Sequence, residues 1–168
     1  LFINKNIATS LSKLLYKISL SFAHRTFFQN PHDLNYFLKN NLTKKFNSKL
    51  LPGSGVDLKK FKFKLLETSD KKFIFLMIAR LIRDKGIYEY IKAIEIIKKR
   101  YPNKLIEFQL LGESNSINQT AISTLELEEW KNKNLINYLG MTDQVENFIL
   151  KSQCIILPSY REGMPRSI

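Results

Sequence analysis

Three basic residues are grouped in the stretch ARLIRDKG, at positions 79–86. They follow an apolar run typical of a buried strand and precede a pattern typical of a helix. A helix N-terminus carries unpaired N–H groups and about half a positive charge, so cations placed there repel it. An anion bound between them would remove this conflict. We therefore predict that Arg80 and Lys85 bind a phosphate or pyrophosphate and that Asp84 caps the helix; the alternative is a set of solvated surface cations.

A second candidate group lies in LPSYREGMPRS, at positions 157–167, after another short apolar strand. Glu162 lies where this strand passes into the next predicted helix, whose first turn contains Pro165. An ionised carboxylate accepts several hydrogen bonds at once, which suits the hydroxyl groups of a sugar. Glu162 is thus a candidate sugar ligand, and the alternative is a surface glutamate paired with Arg161.

Both groups follow strands of one predicted sheet. Apolar runs of strand length alternate with helical patterns, and the strands are predicted at 72–79, 105–111, 135–139 and 154–157. The helices are predicted from about Ile87 to Arg100, with an end near Trp130, and around Val145. Strands that are apolar on both faces and alternate with helices indicate an α/β fold with a Rossmann-like, doubly wound parallel sheet. Ligands of such sheets bind beyond the carboxyl ends of the strands, where both candidate groups lie.

Glycines follow two further strands of the predicted sheet. Gly112 comes directly after the second strand and Gly140 after the third. Because glycine has no side chain, a ligand or a loop can approach its backbone closely. Turns also use glycine, so neither residue identifies a site by itself.

The front of the chain has a different pattern. Apolar residues recur at helical spacing and predict an amphipathic helix over about 3–22: Ile3, Ile7, Leu11, Leu14, Leu15, Ile18 and Phe22. Its apolar face is expected either to pack on another part of the protein or to lie on a membrane surface. A strand is predicted at 25–29 and a second helix at 32–40.

Charge and composition limit the function classes. Of the net charge of +12, residues 1–66 carry +10 (twelve Lys/Arg against two Asp) and residues 67–168 carry +2 (fifteen Lys/Arg against thirteen Asp/Glu). Such asymmetry suits an anionic membrane surface or nucleic acid. No basic cluster is interleaved with stacking aromatics, so we expect no nucleic-acid partner. The single cysteine, Cys154, excludes a disulfide framework, and no apolar run approaches membrane-spanning length. A soluble cytoplasmic fragment is expected.

Five stretches together carry a family resemblance: LPGSGVD (51–57), ARLIRDKG (79–86), FQLLGE (108–113), YLG (138–140) and LPSYREGMPRS (157–167). Their order and spacing resemble the nucleotide-sugar domain of retaining GT-B glycosyltransferases of family 4, also called group 1, and especially the branch that builds capsular and lipid-linked oligosaccharides. FFQNPHD (27–33) resembles the last strand of the acceptor-side domain. The resemblance implies that residues 1–50 end an acceptor-side N-terminal domain, including the crossover, and that 51–168 form a truncated C-terminal nucleotide-sugar domain.

The same resemblance implies roles for individual residues. Arg80 and Lys85 match the pair that binds the donor diphosphate, and Glu162 matches the first of two glutamates, which binds hydroxyls of the donor sugar. The second glutamate would fall at position 170, so the chain is expected to stop within the donor site and to be inactive alone. No metal and no cofactor is expected. The other residues implied to bind donor or form its pocket are Gly53, Gly55, Gly112, Gly163, Met164 and Pro165, with Gly53, Ser54 and Gly55 as hinges for domain closure.

The resemblance finally implies a reaction. A hexose or N-acetylhexosamine is transferred from a nucleotide sugar, with retention, to a polyprenyl-linked or polysaccharide acceptor, in the cytoplasm or at the cytoplasmic face of the inner membrane. Three alternatives stay open from the sequence. They are a non-catalytic nucleotide-sugar-binding or membrane-docking module, a nucleotide-sugar epimerase of GT-B fold, and a nucleic-acid-binding protein driven by charge.

Overall fold

The protein is described by a computed structural model that covers residues 7–51, 53, 55–63, 65, 72–114 and 118–163. The chain forms two compact units, of which the first comprises the residues up to Gly55 together with Gly163 and the second runs from Val56 to Glu162. The predicted boundary between residues 50 and 51 lies slightly earlier in the chain. The assignment of the first unit to an acceptor-side domain stays a prediction.

The first unit is a small α/β arrangement. Its elements are α1 (Ile7–Ser21), β1 (Thr26–Phe28), α2 (Pro31–Lys39), a 3₁₀ helix (Lys45–Asn47) and β2 (Ser48–Leu50), and its two strands pair in parallel. The dipeptide Asn30-Pro31 starts α2, because the Asn30 side chain accepts the Asp33 N–H at 2.8 Å and Pro31 needs no hydrogen bond in the first turn. The core of this unit consists of Phe28, Phe37 and Leu42.

Helix α1 confirms the predicted helix, but its predicted apolar face is not the face that packs. The helix contacts the core of its own unit through Tyr16 and Leu20, and Tyr16 meets the ring of Phe37 edge-on at 5.3 Å. The predicted face is exposed, at Ile7, Leu11, Leu14, Leu15, Ile18 and Phe22, while Ile3 lies outside the described residues. No helix in the described ranges has the length and apolarity needed to cross a bilayer.

The second unit contains a four-stranded parallel sheet. Its strands are β3 (Phe73–Ile78), β4 (Ile106–Leu111), β5 (Asn137–Tyr138) and β6 (Cys154–Ile156), in the order β5-β4-β3-β6. The helices between them are α3 (Ile87–Arg100), α4 (Thr124–Asn132) and α5 (Val145–Ile149). All three strand pairings are parallel. The predicted α/β fold with a parallel sheet is therefore confirmed.

The strand order makes the sheet doubly wound. From β3 the chain proceeds through β4 to β5, and it then returns to place β6 on the other side of β3. Residues of α3 and α4 pack in one core, and right-handed crossovers, the rule for parallel strands, place α5 on the opposite face of the sheet. The main core lies under α3 and α4, and its buried side chains include Met77, Phe108, Leu110, Ile87, Ile91, Ile94, Leu127 and Trp130. The direction of winding reverses between β3 and β6, which makes that point the topological switch of the sheet.

All four strands of this sheet are shorter than predicted, and β3 and β4 differ from their predicted bounds by no more than one residue at either end. The segment 135–139 contributes only Asn137–Tyr138 to the sheet, and Leu135 and Ile136, which precede the strand, are buried in the main core. Strand β6 ends at Ile156, before the predicted Leu157.

Helix α4 begins with a capping box, in which Ser123 and Glu126 each satisfy a backbone N–H of the other.

Candidate functional site

The segment after β3 is fixed by backbone hydrogen bonds to its neighbours. The N–H of Ala79 donates to the Leu111 carbonyl at 3.0 Å, and the N–H of Arg83 donates to the Thr120 carbonyl at 2.8 Å. Gly112 has a φ of 151°, and a Cβ at that position would lie 1.8 Å from the Ala79 carbonyl oxygen. The sequence predicts that a ligand or a loop approaches the backbone of Gly112 closely. In the structure it is the segment after β3 that does so, through the Ala79 carbonyl. The donor-binding role of Gly112 stays a prediction.

The start of α3 differs from the prediction. Arg83–Lys85 forms a 3₁₀ helix, here called the Lys85 turn, and Gly86 separates it from α3 with a left-handed φ of 76°. The residue at the N-cap is therefore Gly86, and the prediction that Asp84 caps the helix is wrong. The physical reason is the change of backbone direction at Gly86, which ends the 3₁₀ helix before α3 begins.

Residues 157–162 follow β6 and are here called the Glu162 loop. This loop lies against the Lys85 turn, because β6 is the neighbour of β3 in the sheet. A Cβ on Gly86 would lie 2.3 Å from the carbonyl oxygen of Pro158, so only glycine fits there. The N–H of Tyr160 donates to the carbonyl of Asp84 at 3.1 Å.

These contacts bring two predicted site residues together. The ammonium Nζ of Lys85 lies 2.6 Å from Oε1 of Glu162, and the two side chains are 21% and 24% exposed. The pair is partly shielded from solvent, so its attraction is screened less than that of a surface pair. It lies at the carboxyl ends of β3 and β6, which is the switch point of the sheet.

The electrostatics of the site keep Glu162 ionised. Burial by itself would raise the pKa of this carboxyl, but the hydrogen bond from Lys85, the neighbouring Ser159 hydroxyl and the charges of Lys85 and Arg80 outweigh it and lower the pKa. Arg80 is exposed, yet its charge reaches Glu162. The structure therefore brings Lys85 and Glu162 into contact, and the charge of Arg80 helps to lower the pKa of Glu162. The catalytic roles of all three residues stay predictions.

The Lys85–Glu162 pair shows that the basic stretch already has an anion beside it within the protein. The sequence predicts that an anion near the basic stretch relieves repulsion at a helix N-terminus. The Glu162 carboxylate is such an anion. A phosphate ligand at Lys85 must therefore share the ammonium with Glu162 or displace it.

The remaining predicted residues that the structure describes, Gly53, Gly55 and Gly163, belong to the first unit. Gly53 and Gly55 have left-handed φ values of 73° and 68°. Gly163 is exposed directly after Glu162. Met164, Pro165 and Ser54 lie outside the described residues. The pocket and hinge roles of all these residues stay predictions.

Sequence reasoning assigned no role to Tyr160. Its hydroxyl donates to the carboxylate of Glu89, in the first turn of α3. Tyr160 thus joins the Glu162 loop to both sides of Gly86. The one signal in the sequence was its position two residues before Glu162.

Residues 59–168 match the protein family described as "Glycosyl transferases group 1". Over 175 aligned positions the chain is 29% identical to the N,N'-diacetylbacillosaminyl-diphospho-undecaprenol alpha-1,3-N-acetylgalactosaminyltransferase of Campylobacter jejuni, covering 97% of this chain and 43% of that protein. It is also 29% identical to the capsular polysaccharide biosynthesis glycosyltransferase CapM of Staphylococcus aureus, over 66% of this chain and 30% of that protein. The chain thus spans less than half the length of these curated relatives.

Two solved structures share the fold. The structure titled "OtsA apo structure" superposes with a TM-score of 0.69 at 16% identity, over 94% of this chain and 44% of the other. WaaG, a glycosyltransferase involved in lipopolysaccharide biosynthesis, superposes with a TM-score of 0.63 at 11% identity, over 95% of this chain and 50% of the other. At these identities the likeness concerns the fold alone.

Proposed function

Because this chain belongs to the group 1 glycosyl transferases, we propose that the intact protein transfers a hexose or N-acetylhexosamine from a nucleotide sugar to a glycan or polyprenyl-linked acceptor. The observation that carries the proposal is the Lys85–Glu162 pair at the switch point of the sheet. It combines a cation suited to a diphosphate with a carboxylate suited to sugar hydroxyls. A nucleotide sugar contains both groups next to each other.

In the proposed reaction, the bond between the anomeric carbon and the diphosphate oxygen breaks, and its electron pair leaves with the diphosphate. The hydroxyl oxygen of the acceptor forms the new bond to that carbon, and its proton passes to the departing diphosphate. Lys85 and Arg80 face the charge that grows on the leaving group. A cation that binds this charge more strongly in the transition state than in the ground state lowers the barrier.

Glu162 orients the sugar in this proposal. Its lowered pKa keeps it ionised near neutral pH, so it accepts hydrogen bonds from donor hydroxyls. Lys85 is held within 2.6 Å of this carboxylate, so the diphosphate and the sugar are bound side by side. Fixing both parts of the donor lowers the entropic cost of reaching the reactive geometry.

The stereochemistry, the metal requirement and the acceptor of the proposed reaction are inferred from similar proteins. Retention of the anomeric configuration and independence of a metal ion follow the pattern of the family 4 enzymes that the five stretches resemble. The polyprenyl-linked acceptor follows the name of the Campylobacter relative, and a capsular or other surface polysaccharide follows that of CapM. The exposed apolar face of α1, in a chain whose basic charge is concentrated in residues 1–66, supports a peripheral position at the cytoplasmic membrane face.

The test is a panel of nucleotide sugars applied to the full-length protein. Thermal shift identifies the donor that is bound, and incubation of that donor with a polyprenyl-diphosphate-linked sugar follows transfer by mass spectrometry. Glycosyltransferase activity predicts a product heavier by one sugar residue. Conversion of the donor to its epimer without transfer would instead identify an epimerase, and donor binding without turnover would identify a binding module.

A further inference from the structure

Tyr160 is anchored on the segment that carries Lys85. Its backbone N–H donates to the Asp84 carbonyl at 3.1 Å, directly beside Lys85 in the chain. Its hydroxyl donates to Glu89, on the other side of Gly86. The two hydrogen bonds therefore hold the Glu162 loop to the end of the Lys85 turn and to the beginning of α3.

The anchoring depends on polar contacts more than on burial. The Tyr160 side chain is 69% exposed, so its ring adds little to the hydrophobic core. The hydrogen bond from Tyr160 lowers the pKa of Glu89, and the bond to Glu89 raises the pKa of Tyr160. Both directions are those of a neutral hydroxyl that donates to an ionised carboxylate. Glu89 also lies in the first turn of α3, where a negative charge is favoured.

We propose that Tyr160 is a positioning residue that holds the Glu162 loop against the Lys85 turn and so sets the distance between Lys85 and Glu162 in the donor site. The Glu162 side chain begins only two residues beyond this anchor. A shift of the loop moves the carboxylate away from Lys85, although Tyr160 touches neither group. The inference rests on the proposed function for its consequence in donor binding, but its geometric part stands on the described contacts alone.

The structure supplies a matched control on the same helix. The hydroxyl of Tyr88 donates to the carboxylate of Glu126 at 2.8 Å, so it joins α3 to α4 away from the Glu162 loop. Tyr88→Phe and Tyr160→Phe each remove one hydroxyl that donates to a glutamate. A purely structural role for Tyr160 would make the two variants behave alike.

The experiment measures the pKa of Glu162 by carbon-detected NMR of the full-length protein with labelled glutamate side chains. Tyr160→Phe should raise this pKa towards the ordinary glutamate value, because Lys85 and Glu162 separate. Glu89→Gln should also raise the pKa of Glu162. The loss of the Glu89 charge alone would lower that pKa, so a rise reports movement of the loop. Tyr88→Phe should leave the pKa of Glu162 unchanged. An unchanged Glu162 pKa in both Tyr160→Phe and Glu89→Gln would overturn the proposal.

A second measurement connects the position of Glu162 to donor recognition. The ratio of the dissociation constants for UDP and UDP-N-acetylgalactosamine reports how much the sugar adds to binding. Tyr160→Phe should lower this preference by about threefold or more, the size of a weakened hydrogen bond to a charged group. If neither nucleotide binds the wild-type protein, donor binding as proposed is wrong for these nucleotides. The Glu162 pKa then decides the positioning role independently.

Discussion

Lys85 donates a hydrogen bond to Glu162 at 2.6 Å, although the two residues are 77 positions apart in the chain. The contact joins the segment after β3 to the loop after β6. Lys85 and Glu162, which are both proposed to bind the nucleotide sugar, therefore bind each other in this structure. The diphosphate of the donor must share Lys85 with Glu162 or displace the carboxylate from it, and in both cases it competes with Glu162 for the ammonium. This competition leads to the first prediction.

Glu162→Gln should separate the binding of diphosphate from the binding of sugar. The amide no longer holds Lys85 by charge, so UDP should bind about three- to tenfold more tightly, which corresponds to a partly exposed charged hydrogen bond. The nucleotide sugar should gain less or lose affinity, because it loses a hydroxyl acceptor. Titration calorimetry with each ligand measures both effects. Glu128→Gln on α4 removes a charge from a surface pair with Lys131 and is the control; UDP affinity that is equal or weaker in Glu162→Gln would refute the competition.

Glu107 should make the stability of the second unit depend on pH. Hydrogen bonds from Asn137 and Gln109 and the pairing with Lys72 outweigh burial and lower the pKa of Glu107 from 4.5 to about 2. A lowered pKa contributes stability that is present above 4.5 and is lost as the pH falls towards 2. Glu107→Gln should therefore cost about 1–2 kcal/mol of unfolding free energy at pH 7.

Urea denaturation at pH 7 and at pH 3.5 (about one unit below the ordinary glutamate value) measures this effect. The difference between wild type and Glu107→Gln should narrow at the lower pH, because part of the wild-type contribution is lost there. Glu129→Gln, which removes an exposed partner of Lys133, should show a much smaller difference at both values. An equal cost at both pH values would show that the charge of Glu107 does not contribute.

Gly112→Ala should destabilise the protein strongly. The added Cβ would lie 1.8 Å from the Ala79 carbonyl oxygen, and the φ of 151° is unfavourable for alanine. We expect a loss of about 3 kcal/mol or more in the free energy of unfolding. Gly140 is the matched control, since its φ is 71° but nothing lies within 4 Å of its Cβ position. Gly140→Ala should cost about 1 kcal/mol, and equal costs for the two would contradict the packing of the loop on Gly112.

The exposed face of α1 predicts binding to anionic membranes. The full-length protein should sediment with vesicles that contain phosphatidylglycerol and should be released at high salt. The double substitution Leu15→Ser/Ile18→Ser should weaken sedimentation several-fold, because both side chains are more than half exposed on that face. Leu125→Ser, at another exposed leucine on α4, is the control. Absence of wild-type sedimentation would favour the alternative that this face packs on another part of the protein.

The sequence predicted the central elements well because their patterns are local. The apolar run of β3 and the helical spacing of α3 place both elements within a residue of their observed bounds. The cap at Asp84 was wrong because the left-handed conformation of Gly86 interrupts a pattern that otherwise continues into the helix. A glycine directly before a helix was the signal that could have corrected it.

The contact within the site could not be read from the sequence. Lys85 and Glu162 meet because β6 returns to pair with β3, and this depends on the order of four strands. The sequence motifs place Lys85 and Glu162 at the carboxyl ends of two strands, but they do not show that these strands are neighbours in the sheet. Tyr160 was missed for the same reason, since its partners belong to the segment after a different strand.

The central claim is that Arg80 and Lys85 bind the diphosphate of a nucleotide donor. The most direct measurement is the calorimetric affinity for UDP, and for the donor found in the panel, of the wild-type protein and of Arg80→Gln/Lys85→Gln. Lys99→Gln/Arg100→Gln, which removes two positive charges from the other end of α3, is the control. We expect an affinity at least several-fold weaker in Arg80→Gln/Lys85→Gln and nearly unchanged in the control. An unchanged affinity in Arg80→Gln/Lys85→Gln would contradict it.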